Sequence, residues 1–563
     1  MDHIRNLLLQ YWELLYPDAP QSLLSNFLHS VDVYRNNAKD TGPETDWYKD
    51  AIVYSLYVDL FNHDFQGLIS KLDYIESLGV NCLWLLPVLD SPMRDAGFDI
   101  SDYYNVRREL TGNSTVDRTK VFDHFLAEAH KRGIRVIFDI AVNHISDQHP
   151  WFREAVKSKT NPYREFFIWS DNADEYKDAR IIFKGIEKSN WEKSGDQYYF
   201  HRFFNFQPDL NYKNPEVLFA MCRHLLYWQN RGIDGFRADA IPYIWKEQGT
   251  ACENHPLTHV VVKFFRAILD YIRPGTLLLA EACQTPFKVV QYMGDGDECH
   301  AAYHFPLMPR IYKAIAMQNG KPVEEILGPD VTPGLPSMGQ WFTFLRCHDE
   351  LSLELVYVTE AERKFIHESY CHNPKWDFRL GEGIAARLSE LMQRNPQKIL
   401  LAYSVMLTLP GTPVIYYGDE FGKLNDEDYY NEMIKLVGKD DTRFLGRGKI
   451  DWPSLESDLK DPGSISSRVF YPLKQMLTIR RHYKAFGRGT IKFTDLPGAQ
   501  PGSLLAYYRQ DEKNKLLVIH NMTDHAVAFD LPDGINNSND LLNKPLTAEI
   551  EPLGFRWVEV NSE

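Results

Sequence analysis

No stretch of this chain approaches roughly 18 uninterrupted apolar residues, so no segment reads as a membrane-spanning helix. A secretory leader is not expected either. The terminus Met1-Asp2-His3-Ile4-Arg5 leads into an apolar run, Leu7-Leu8-Leu9, that stops at Gln10 and is too short for a signal-peptide core. Paired cysteines are missing. The seven present (82, 222, 252, 283, 299, 347 and 371) are odd in number and scattered, with no CxxC, which suits free thiols in a reducing, cytoplasmic setting better than a disulfide framework. Positive charge is scarce too: 62 Lys+Arg against 77 Asp+Glu leave −15, which argues against nucleic acid or an anionic membrane as partner. There is no internal repeat and no low-complexity tract. Neutral small ligands stay open, and 12 Trp with 31 Tyr suit either packing or the flat faces of sugars.

What is present is length and rhythm. At roughly 100–200 residues per domain, 563 residues suggest three or four units unless one is a large barrel. Residues 1–46 carry apolar positions at helical spacing (Leu7, Tyr11, Trp12, Leu15, then Leu23, Phe27) and end in the turn-rich Asp40-Thr41-Gly42-Pro43, which predicts an N-terminal helical extension. From Asp50 short continuous apolar runs alternate with amphipathic helices, the pattern of parallel strands buried on both faces. The runs are 51–58, 81–88, 135–142, 233–239, 277–282, 301–305, 342–347 and 413–417. Eight such units predict an α/β fold, a (β/α)8 TIM barrel over 47–487 whose reacting groups sit at strand C-termini. Residues 145–206 break the rhythm and read as an inserted subdomain after strand 3. Residues 488–563 alternate with period two and read as a C-terminal antiparallel β-sandwich domain.

The strand ends carry the chemistry. Strand 3 ends in Asn143-His144, strand 4 in Arg237-Ala238-Asp239, strand 5 in Glu281, and strand 7 in Cys347-His348-Asp349. Taken alone, an Asp or Glu there is ordinarily a helix N-cap or a salt-bridge partner, and a lone His a core hydrogen-bonder. Their coincidence on one rim points elsewhere. Retaining glycosidic chemistry needs an ionised carboxylate as nucleophile and a protonated one as acid, about 5–5.5 Å apart. Neighbouring carboxylates drive each other's pKa values apart, and an Arg beside the nucleophile keeps it ionised. Period-two alternation places Arg237 on the same strand face as Asp239.

The segments DIAVNH (139–144), GFRAD (235–239), AEA (280–282) and CHD (347–349), with GFDISDY (97–103), QPDLN (207–211) and LPGTPVIYYGDE (409–420), resemble the α-amylase superfamily, glycoside hydrolase family 13, over about residues 47–430. Within it the likeness is greatest to the trehalose synthases (maltose α-D-glucosyltransferases), through SPMRDAGFDISDYY, HRFFNFQPDLNY and GDECHAAYHFPLMPRIY. The resemblance implies Asp239 as nucleophile, Glu281 as acid/base and Asp349 as transition-state stabiliser. It implies sugar contacts from Asp95, Phe98, His144, Gln207, Arg237 and His348, with Phe98 where the family usually has a stacking Tyr.

The reaction so implied interconverts maltose and trehalose by intramolecular glucosyl transfer. A hydrolase or transglucosylase on short α-glucosides is the alternative, and a non-catalytic sugar-binding barrel a rival of another class. Expected partners are small α-glucosides such as maltose, trehalose or short oligosaccharides; an oligomer is left open. Residues 145–206 and the loop 247–258 are the expected lid.

No organic cofactor is implied. A calcium site would map to Asn143, Asp209, Tyr243 and the Ile244 backbone, but Lys246 replaces its final Glu, leaving either a weakened calcium site or the ammonium in the metal's place. Further departures are Cys347 for an Asn, Leu257 for a Glu, and the segment 441–452, where Arg443 or Arg447 either meets the acceptor sugar or forms an exposed loop salt bridge.

Overall fold

Eight of the short apolar runs close into one parallel barrel: β1 (Val53–Leu56), β2 (Cys82–Leu85), β3 (Arg135–Ala141), β4 (Gly235–Asp239), β5 (Leu277–Ala280), β6 (Ala301–Tyr303), β7 (Gln340–Phe344) and β8 (Thr412–Tyr416). They follow one another around the ring in chain order, and β8 pairs back onto β1. The structure, a computed structural model, describes residues 2–36, 44–112, 117–532, 535 and 539–560. Nearly every strand residue is buried, since helices cover the outside and side chains fill the inside, which is why the runs are continuous rather than alternating.

Local signals fix where the barrel helices start. Asn214, His255 and Asn395 each cap a helix that opens on Pro: Pro215–Arg231, Pro256–Ile272 and Pro396–Thr408. Proline suits the first helical position because its missing N–H has no intrahelical partner there anyway. Gly235 is demanded by contact: a Cβ there would sit 2.5 Å from Leu277 Cβ. That bare backbone lets β4 lie close against β5, bringing their C-terminal carboxylates together.

The N-terminal segment forms α1 (Asp2–Leu15) and α2 (Gln21–Asn36), packed on the barrel's outer helices. Trp12 and Phe27 sandwich Phe219, at 5.2 and 4.3 Å between ring centres. The turn at residues 40–43 lies outside the described residues.

The chain ends in a four-stranded antiparallel sheet of β9 (Thr490–Phe493), β10 (Leu504–Gln510), β11 (Lys515–Asn521) and β12 (Phe555–Glu559), with a two-stranded sheet beside it. Buried Arg509 joins this sheet to the barrel by donating to the carbonyls of Thr408, Ala485 and Gly489. No helix among the described residues is long and apolar enough to cross a membrane. All seven cysteines are free thiols.

Candidate active site

One guanidinium organises the rim of the barrel. Arg237, fully buried on β4, places Nη1 2.5 Å from Asp239 and 2.8 Å from Asp139 on β3, and Nη2 2.8 Å from Glu281 just past β5. One guanidinium thus bridges the carboxylates of Asp239 and Glu281 through its two terminal nitrogens. Three acids around one cation cannot all ionise cheaply in a low-dielectric site, so their pKa values separate. Burial pushes Glu281 up to about 8, with Asp239 adding to the rise and Arg237 opposing it. Burial also raises Asp239, but Arg237 limits the rise to about 6. Near neutrality the pair therefore offers one ionised carboxylate and one protonated acid. Ala240 holds this geometry with a left-handed backbone (φ 56°), from which its N–H donates to Glu281 Oε2 at 3.0 Å.

Asp349 lines the same cavity from the turn after β7. Burial alone would raise its pKa, yet the guanidiniums of Arg443 and Arg447 outweigh burial and hold it below the usual carboxylate range. Arg443 donates to Asp349 Oδ1 at 2.9 Å and reaches Asp95 Oδ1 at 3.4 Å, while Gln207 donates to Asp95 Oδ2 at 2.9 Å. Phe98 stacks on His348 with ring centres 5.4 Å apart. Burial keeps the His144 and His348 imidazoles neutral, lowering them to about 4 and about 3.

These groups surround a cavity of about 110 Å³, below the roughly 300 Å³ at which drug-sized ligand clefts begin. Asp95, Phe98, His144, Asp239, Glu281, His348 and Asp349 all line it; Gln207 and Arg237 support it from behind. A wider cavity of about 650 Å³, bordered by Asp123, His130, Arg135 and Arg273, lies away from this cluster of carboxylates.

Three expectations need correction. Arg443 is no exposed loop cation: it is buried between Asp349, Asp95 and Asp441. The segment 247–258 contributes no residue to the cavity lining, and its Glu253 is tied behind the site to Arg180 at 2.8 Å and to Arg202. The second wall comes instead from the excursion after β7. There Leu351–Ser352, Asp377–Phe378 and Gly383–Ile384 form a small sheet, carrying Glu350, Glu354, Phe378 and Arg379 to the cavity. Opposite it, Ile182, Phe183 and Phe203 of the inserted segment supply an apolar wall. The two walls are linked by Lys184–Glu382 at 3.1 Å and Arg180–Glu354 at 3.5 Å. Asp139, which opens the DIAVNH segment, is a further member of the site, sharing Arg237 with Asp239 and Glu281.

The calcium expectation is the third. Asn143, Asp209 and the Ile244 carbonyl do converge, but on the Lys246 ammonium: Nζ lies 2.5, 2.9 and 3.4 Å from their oxygens. Tyr243 turns its ring onto Phe203 and into the cavity. Calcium takes six to eight oxygens at roughly 2.3–2.6 Å. A resident ammonium at the shared point leaves no place for such a shell, so the residues present do not fit a calcium ion.

The family described as "Alpha amylase, catalytic domain" matches residues 33–350, more than half of the chain. This chain belongs to the α-amylase family. The "Alpha-amylase SusG C-terminal domain" matches residues 504–552. Trehalose synthase/amylase TreS of Mycolicibacterium smegmatis is 42% identical over 508 residues, covering 84% of this chain and 83% of that protein. A trehalose synthase of Thermus thermophilus is 41% identical over 517 residues, covering 86% of this chain and 51% of that protein. Among solved structures, a trehalulose synthase mutant in complex with Tris superposes with a TM-score of 0.69 at 25% identity, over 92% of this chain and all of that one. These likenesses agree with the family and the fold of a barrel followed by an antiparallel sheet.

Proposed function

We propose that this protein interconverts maltose and trehalose by a retaining, intramolecular glucosyl transfer. Asp239 attacks the anomeric carbon as Glu281 protonates the departing oxygen, giving a covalent β-glucosyl ester and free glucose. The glucose stays in the cavity, turns over, and attacks the ester through its anomeric hydroxyl, whose proton passes to Glu281. Asp239 is thereby released and the α,α-1,1 bond is formed, with Asp349 stabilising the charge that develops on the ring in both steps. Asp95, Gln207, His144 and His348 grip the hydroxyls, and Phe98 packs on the sugar face. No organic cofactor enters the scheme, and seven free thiols fit a reducing compartment.

The observation that carries this reading is Arg237 holding Asp239 and Glu281 at the floor of a small cavity with two linked walls. Hydrolysis competes only as far as water reaches the ester, and apolar Phe183, Phe203, Phe305 and Phe378 around the cavity oppose its entry. Relatives at about 40% identity, named trehalose synthase/amylase and trehalose synthase, support trehalose as one side of the reaction.

The test is to incubate the protein with maltose in the presence of isotopically labelled free glucose. Unlabelled trehalose is expected; glucose as the only product would instead make the protein a hydrolase, and labelled trehalose would make the transfer intermolecular.

The paired carboxylates also set a pH profile. Activity requires Asp239 ionised and Glu281 protonated, so kcat/KM should fall below about pH 6 and above about pH 8, with its plateau near 7. The two limbs belong to the pair as a unit. A profile still rising at pH 9 would contradict Glu281 as the acid.

A further inference from the structure

The ammonium at the mismatched metal position does more than fill space. Its three oxygen partners come from three segments: Asn143 from just past β3, Asp209 from the stretch that follows the inserted segment, and Ile244 from the turn after β4. Lys246 is 4% exposed and both Asn143 and Asp209 are 0% exposed, so the cross-link is sealed from water. Leu210 N–H donates to the Asn143 carbonyl at 2.8 Å, so the same junction pins the insert to the barrel rim.

The consequence runs to His144. An ammonium only donates, so the Asn143 atom facing Lys246 must be the carbonyl oxygen, and this fixes the orientation of the amide. Its Nδ2 then faces His144 Nδ1 at 3.2 Å and must be the donor. With Nδ1 accepting, the proton of the neutral ring resides on Nε2, a buried atom with no partner in the chain, on a residue that lines the cavity.

We propose that Lys246 is a positioning residue: an internal cation that does the cross-linking work of a divalent ion and, through Asn143, fixes the His144 tautomer so that Nε2–H is presented to a sugar hydroxyl. The proposal rests on His144 being a sugar contact. It predicts that the wild-type protein is indifferent to calcium, whereas Lys246→Glu turns the same pocket into an oxygen-only set that calcium fills. Lys246→Met keeps the bulk of the side chain but frees the amide to rotate.

The experiment titrates wild type, Lys246→Glu and Lys246→Met with calcium chloride and with a chelator, reading heat of binding, thermal midpoint and kcat/KM on maltose. The wild type should show no calcium-dependent change in any of the three. Lys246→Met should lose about 10- to 100-fold in kcat/KM, the cost typical of removing a group that orients a functional ligand, with no rescue by calcium. Lys246→Glu should bind one calcium ion per chain and regain most of its lost kcat/KM when loaded.

Stabilisation of the wild type by calcium, wild-type kcat/KM in Lys246→Met, or calcium binding by Lys246→Glu without recovery would each overturn the proposal. Should Lys246→Met fail to fold, the wild-type and Lys246→Glu arms still decide. Binding heats and melting do not depend on which α-glucoside reacts, so failure of this proposal and failure of the maltose reading are separable.

Discussion

Asp239→Asn is expected to lower kcat on maltose by about 10⁴-fold or more while the thermal midpoint stays within a few degrees of wild type, because a catalytic nucleophile acts only as part of its unit. The neutral amide cannot form the glucosyl ester, so both half-reactions stop. The fold should tolerate the change. Asn is isosteric with Asp, keeps an oxygen for Arg237, and removes one of three carboxyls crowded around a single guanidinium. Activated substrates should give no rescue, since α-glucosyl fluoride still needs an attacking carboxylate. Circular dichroism with initial rates on maltose and on the fluoride checks all of this; turnover within tenfold of wild type would remove Asp239 from its role.

Glu281→Gln should fail differently. General acid catalysis is worth about 10²–10⁴-fold, and that loss should fall on maltose, whose sugar leaving group needs a proton. Fluoride leaves without one, so release of fluoride from α-glucosyl fluoride should stay close to wild type in its first turnover. The variant should also lose the alkaline limb of its pH profile, because the group held up at about 8 is gone. Comparing first-turnover rates on the two substrates checks the split. Equal losses on both would mean that Glu281 does not donate the proton.

Much of this was legible in the sequence for a physical reason. Parallel strands buried on both faces leave continuous apolar runs, and the residue that ends such a run sits at the barrel rim, so Asp239, Glu281 and His144 could be placed from Phe236, Leu279 and Val142 before them. Gly235 and Arg237 read the same way, as the close approach and the charge partner on one strand face.

The wall after β7 was not legible because its strands are two residues long, too short to show a period, and Arg379 reaches the site from between two of them. The place of Arg443 was not legible for a related reason: the charges of Asp441, Arg443 and Arg447 read equally as a surface salt bridge or a sugar contact, and only the fold buries Arg443 against Asp95 and Asp349, far away in the chain. Lys246 shows the opposite case. A cation among expected metal ligands is visible as a contradiction in the sequence, and only the three distances to its oxygens resolve it.

The central claim is that a glucosyl unit becomes covalently attached to Asp239. Its most direct test is to trap that ester with 5-fluoro-α-glucosyl fluoride, digest the protein, and locate the added mass by tandem spectrometry. The account predicts one fluoroglucosyl group per chain, on the peptide containing GFRAD and on the Asp239 side chain. A label on Glu281 or Asp349, or full inactivation with no label on Asp239, would contradict it.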